Sequence, residues 1–177
     1  LGTGLLATVV IGSGIAAQRL SPDDVGLQLL ENSLTTALGL AVLILMLGPV
    51  SGAHFNPVVS LADWTLGRRA RIGLSSPGVA VYLAAQVLGG VAGTLLAGVM
   101  FDVAPAFSDH DRAIGGHLIG EIVATAGLVL LLFALARTGQ SPVTAAAVGA
   151  YIGAAHCITS STSLATPPRT IPRMFIA

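Results

Sequence analysis

Apolar runs near the length of a membrane span recur along this chain and leave few folds open to it. Leu1 to about Ala17 is the first, and about Leu27 to Leu47 the second. Pro77 to Phe101, His117 to about Ala136, and Pro142 to about Thr159 follow. A spanning helix needs about 20 such residues, and inside lipid only helices and closed barrels satisfy every backbone group. Charged residues make up 9% of the 177, too few to coat a soluble protein of that size. The chain reads as one all-α transmembrane domain over residues 1–177, multi-pass, in a cell (inner) membrane.

The formal net charge is zero, so no basic surface points to nucleic acid. Cys157 is the single cysteine, which excludes an intramolecular disulfide. The Asp102–Gly116 loop contains Asp109, His110, Asp111 and Arg112. It reads as a solvated loop rather than a metal site, since sequence neighbours point in different directions.

Between the second and third runs stands Ser51 to Gly67, SGAHFNPVVSLADWTLG. Asn is a preferred helix N-cap, its side-chain oxygen accepting an orphan backbone N–H. Pro suits the first helical position, where its missing N–H costs nothing. Asn56-Pro57 therefore predicts a helix start, and the helix runs to about Gly67. At about 1.5 Å per residue it covers roughly half the hydrocarbon thickness. A half-length helix with a polar cap belongs at a pore, because irregular backbone at membrane depth is tolerated where it lines a water-filled cavity.

Gln18 to Glu31 reads as a polar connection and Gly48-Pro49 as the stop of the second span. Arg68, Arg69 and Arg71 follow the half-helix, and Arg137 follows the fourth span. Both sites fall on one side, cytoplasmic by the positive-inside rule. The order span, span, broken segment, span occupies about residues 1–101 and begins again at about 117–177. An odd number of spans separates the two starts, so the second copy is inverted. Inverted repeats with broken helices are a transport architecture. On this reading the chain begins part-way through its first helix, and the second copy lacks its final, sixth span.

SGAHFNPVV resembles the first signature of the aquaporin superfamily (the major intrinsic proteins), SGAH-x-NPA-V, with Val58 where Ala is usual. GEIVAT, with Glu121 and Thr125, resembles the opening of that family's fourth helix. GAYIGAAHCITSSTSLATPPRT, Gly149 to Thr170, resembles the approach to its second signature. The resemblance covers essentially the whole chain, in a bacterial aquaglyceroporin-like form, clipped at both ends. Thr166-Pro167-Pro168 stands where the family has Asn-Pro-Ala, and Pro172 falls inside the second half-helix.

The resemblance implies a passive channel for water and small neutral solutes such as glycerol or metalloid hydroxides. It implies no catalytic residue, cofactor or metal, and a homotetramer when full length. Two re-entrant half-helices meet at the pore centre. Asn56, Pro57 and Val58 form one motif, and Thr166, Pro167 and Pro168 the other. The carbonyls of Gly52, Ala53 and His54 accept along one half of the pore, and Ser161 and Thr162 along the other. Thr36, Ala154, Ser163 and Arg169 take the filter positions. Glu121 holds the broken loop. Trp64 is a packing or interfacial residue, and His156 a lining or packing one.

Two other readings compete. One is a non-conducting fragment of such a channel. The other is an intramembrane enzyme with a Ser–His pair drawn from Gly12-Ser13-Gly14 and His117.

Overall fold

A computed structural model describes residues 1–70, 73–104 and 115–158. They form helices α1 (Gly2–Leu20), α2 (Val25–Ser51), α3 (Pro57–Ala70), α4 (Ser76–Met100), α5 (Gly115–Arg137) and α6 (Thr144–Ile158). A 3-10 turn, Ser141–Val143, leads into α6. Among the described residues, five helical segments are long and apolar enough to cross a membrane, and α3 is not one of them. The fold is that of an all-helical membrane protein.

The helix ends differ from expectation in three places. α1 and α2 absorb nearly all of the polar connection, leaving Ser21 to Asp24 as the turn. Asp24 starts α2 by accepting the Leu27 N–H at 2.9 Å, a side-chain cap that sequence reading passed over. Pro49 does not stop α2, which runs to Ser51. Pro49 gives up its bond to Leu45 O and crowds that carbonyl, yet only two residues of helix follow it. The helix ends where Gly52 turns left-handed (φ 69°), its N–H closing on Gly48 O at 2.8 Å. The half-helix α3 runs past Gly67 to Ala70, 14 residues in all. At about 1.5 Å per residue it still falls short of a span.

α1 lies between α2 and α4, while α6 packs on α2 and α5 on α6. Close approach rests on small residues, as in membrane bundles generally. A Cβ added at Gly93 of α4 would stand 2.0 Å from Gly4 O of α1. One at Gly149 of α6 would stand 2.5 Å from Ala37 O of α2. Buried amides on α2 add bonds to α1 and to the turn that joins them. Asn32 Nδ2 donates to Val10 O at 2.8 Å and to Ser13 Oγ at 2.9 Å. Gln28 Nε2 donates to Ser21 O at 2.6 Å. Leu34, Leu38 and Leu45 of α2 are more than half exposed, a face suited to hydrocarbon.

The core joins Leu40 of α2, Leu128 of α5 and Val148 of α6. Phe55 and Val59, from the α2–α3 loop and α3, pack against that cluster. The half-helix therefore docks by its start into the middle of the bundle.

Candidate functional site: the entry loop of the half-length helix

Residues 51–57 reverse the chain between α2 and α3. Gly52 and Ala53 both take positive φ, 69° and 53°. The left-handed region costs a side-chain-bearing residue roughly 1–2 kcal/mol, so other contacts must hold Ala53 there. Phe55 N–H bonds Ala53 O at 3.0 Å, tightening the turn. The Phe55 ring lies against Gly2, where a Cβ would meet its Cε1 at 2.2 Å.

Asn56 caps α3 as its sequence context predicts. Its Oδ1 accepts the Val58 N–H at 2.8 Å, and its carbonyl accepts the Ser60 N–H at 3.2 Å. Pro57 occupies the first helical position. With Oδ1 engaged, the Nδ2 hydrogens are left for another acceptor. The start of α3 carries the partial positive charge of a helix N-terminus.

α4 grips this loop from behind. Gln86 Nε2 donates to His54 O at 2.6 Å and to Ser60 Oγ at 2.9 Å. Tyr82, one turn earlier, donates its hydroxyl to Ser51 O at 2.7 Å. The His54 ring tilts against Tyr82, with centroids 5.5 Å apart, and its Nδ1 is buried with no hydrogen-bond partner. Burial holds the His54 imidazole below its usual pKa, opposed by the Asp63 carboxylate. Asp63 also accepts the Leu74 N–H at 2.8 Å, fastening the far end of α3. Trp64 Nε1 donates to Ser76 Oγ at 3.2 Å, beside the start of α4.

The expected pore residues divide into three groups. Gly52, Ala53, His54, Asn56, Pro57 and Val58 are brought together in this one loop. One lone pair of the His54 carbonyl is taken by Gln86, and a carbonyl has two. Of the filter positions, Thr36 is 1% exposed, and its Oγ1 is buried without a partner. Ala154 is exposed on α6, the helix packed on α2. Ser161, Thr162, Ser163, Thr166, Pro167, Pro168 and Arg169 lie outside the described residues, as do Arg71 and the Asp109–Arg112 stretch. Glu121 is half-buried on α5, but the segment it is expected to hold lies beyond residue 158. Ser13 of the supposed Ser–His pair is engaged in packing, accepting from Asn32 and donating to Val10 O at 3.2 Å.

Gln86, Tyr82 and Ser60 are the site residues that sequence reading missed. The available signal was an amide in the middle of an apolar span, since polar residues inside a membrane are expensive and usually have a task.

The family described as Major intrinsic protein matches residues 1–167. Aquaglyceroporin AqpS of Rhizobium meliloti is 44% identical over 176 residues, covering 99% of this chain and 72% of the relative. Human Aquaporin-2 is 32% identical over 172 residues, 89% of this chain and 58% of the relative. The lens fiber major intrinsic protein of Gallus gallus is 34% identical over 140 residues, 74% of this chain and 49% of the relative. The chain thus spans about half the length of the last two and nearly three quarters of the first.

Proposed function

Because the chain belongs to the major intrinsic protein family, whose members are channels rather than enzymes, we propose that it conducts water and small neutral solutes passively. It is a multi-pass protein of the cell membrane. The observation that carries the reading is the Asn56-capped half-helix docked into the bundle core. Its N-terminus repels cations, and the Asn56 Nδ2 donates to a passing solute oxygen. The carbonyls of Gly52, Ala53 and His54 supply acceptors on the approach.

The solute range is proposed from the filter positions. Thr36 and Ala154 are small, as is Ser163, and Arg169 adds a fork of donors. A ring of small residues favours polyols or neutral metalloid hydroxides alongside water, in keeping with the name aquaglyceroporin carried by the Rhizobium meliloti relative. Thr166-Pro167-Pro168 takes the place of the second motif, with Ser161 and Thr162 beside it and Glu121 supporting its loop. The full-length protein assembles as a homotetramer, each subunit with its own pore.

Stopped-flow measurements on proteoliposomes test this. Water, glycerol and arsenous acid should all enter, and Asn56→Leu should abolish their entry. Rapid water flux with neither solute entering would refute the broad filter. Unchanged flux through Asn56→Leu would place the pore elsewhere. Thr36→Phe with Ala154→His should shift permeation toward water.

A further inference from the structure

One side chain reaches both flanks of the Asn56 cap. Gln86 sits inside α4 and is 4% exposed. Its Nε2 donates to His54 O, just before Asn56 in the chain, and to Ser60 Oγ, one turn after it. Ser60 is fully buried, and its N–H closes the first turn of α3 on Asn56 O. Asn56 therefore sits in a short bracket whose two ends are fastened to one nitrogen of a neighbouring helix.

Both hydrogens of that nitrogen are used, while Gln86 Oε1 is buried with no donor facing it. A buried acceptor left unpaired is destabilising, and a methionine of similar shape would fill the space without that penalty. The amide is therefore poorly explained by packing, and well explained by the two donors it aims at the loop. Hydrogen bonds at 2.6 and 2.9 Å leave little latitude, because such contacts lapse beyond about 3.5 Å. A shift of under one ångström in either flank would break the bracket.

We propose that Gln86 is the positioning residue of the pore. It sets where the Asn56 amide stands, and through it both the permeation rate and the choice among solutes. This rests on the channel reading given above. Tyr82 differs in role: its bond to Ser51 O steadies the start of the loop and reaches neither flank of the cap.

The test uses the full-length chain in proteoliposomes, with water and glycerol flux measured for each variant. Gln86→Met removes both donors at near-constant volume. It should lower flux about tenfold, the scale of two neutral hydrogen bonds, and change the water-to-glycerol ratio. Gln86→Glu carries the sharper signature. An ionised carboxylate has no donor, and a protonated one regains a single O–H. Its flux relative to the unsubstituted channel should therefore rise as pH falls. His54, Tyr82 and Asp63 surround the loop in both proteins, and repeating the profile in a His54→Gln background separates the imidazole from the introduced carboxyl, to which it is coupled. A merely structural role gives a flat ratio, and a flat ratio overturns the proposal.

Should Gln86→Met fail to accumulate, Ser60→Ala removes one acceptor alone and should cost about threefold in flux. Unsubstituted rate and ratio in either variant would also overturn the proposal. Amide hydrogen exchange at Val58 and Ser60 reads the bracket without reference to transport, and Gln86→Met should accelerate it. Conduction surviving Asn56→Leu while this exchange still accelerates would place the pore elsewhere, overturn the positioning role with it, and leave the bracket standing as a structural contact. Loss through Asn56→Leu with unchanged Gln86 variants would sink the positioning role alone.

Discussion

The α1–α4 and α5–α6 contacts both use glycine to bring helices together, but different things fill the space. At Gly93 the neighbour is backbone: an added Cβ would meet Gly4 O at 2.0 Å and Gly4 C at 2.8 Å. At Gly127 the neighbour is the end of a side chain, Tyr151 Oη at 2.0 Å. The distances are equal and the consequences are not. A main-chain carbonyl inside a packed helix yields only if the helix moves, whereas a tyrosine hydroxyl yields when its side chain swings about the Cα–Cβ bond. One contact fixes the spacing of two helices, and the other fills a gap between them.

The largest expected effect follows from the first case. Gly93→Ala must push α1 and α4 apart along their whole contact. It should lose about 3 kcal/mol or more, at or above the upper end for overpacking. Thermal unfolding in detergent should show a large drop in midpoint or no folded protein. A fall of only a degree or two would mean that the two backbones are not in contact.

Gly127→Ala should do much less. Tyr151 must swing aside, giving up its bond to Ala124 O at 2.9 Å and its packing on the core cluster, at a cost of about 2 kcal/mol. The higher helix propensity of alanine, worth about 1 kcal/mol, offsets part of that. Combining it with Tyr151→Phe sharpens the comparison. Removing the hydroxyl also removes the closest clash, so the pair should cost less than the sum of the single changes. Strict additivity would show that the glycine and the tyrosine act independently.

The same contrast explains what was legible beforehand. Asn56-Pro57 announced a helix start because the whole device is local: the cap reaches Val58, two residues on. The glycines of α4 carry no such local sign of what each one meets. Gly89 and Gly93 face α1, whereas Gly98 faces Val103 O beyond the end of its own helix. Pro49 marks the end of α2 to within two residues, and the left-handed turn at Gly52 makes the actual stop. Gln86 was missed because its partner His54 lies 32 residues away in sequence, and no local pattern announces a bond across that distance. The filter positions came from the family's spacing; the structure adds a buried, unpartnered hydroxyl at Thr36, and Ser163 and Arg169 lie outside the described residues.

The smallest expected effect lies at the centre of the rigid contact. Thr8 Oγ1 bonds Gly93 O at 3.1 Å across the helix pair and Gly4 O at 3.0 Å on its own helix. A hydroxyl has one hydrogen, so the two acceptors share it. The bond within α1 survives when the helices separate in the membrane, and the hydroxyl is then still satisfied. The interhelical bond thus adds little, near the average of about 0.6 kcal/mol found for such bonds in bilayers. Thr8→Val keeps the shape and should lower stability by about that amount, with α1 and α4 at unchanged spacing. A loss above about 2 kcal/mol, beyond the upper measured value for such bonds, would show that the hydroxyl, and not the approach of Gly4 to Gly93, holds these helices together.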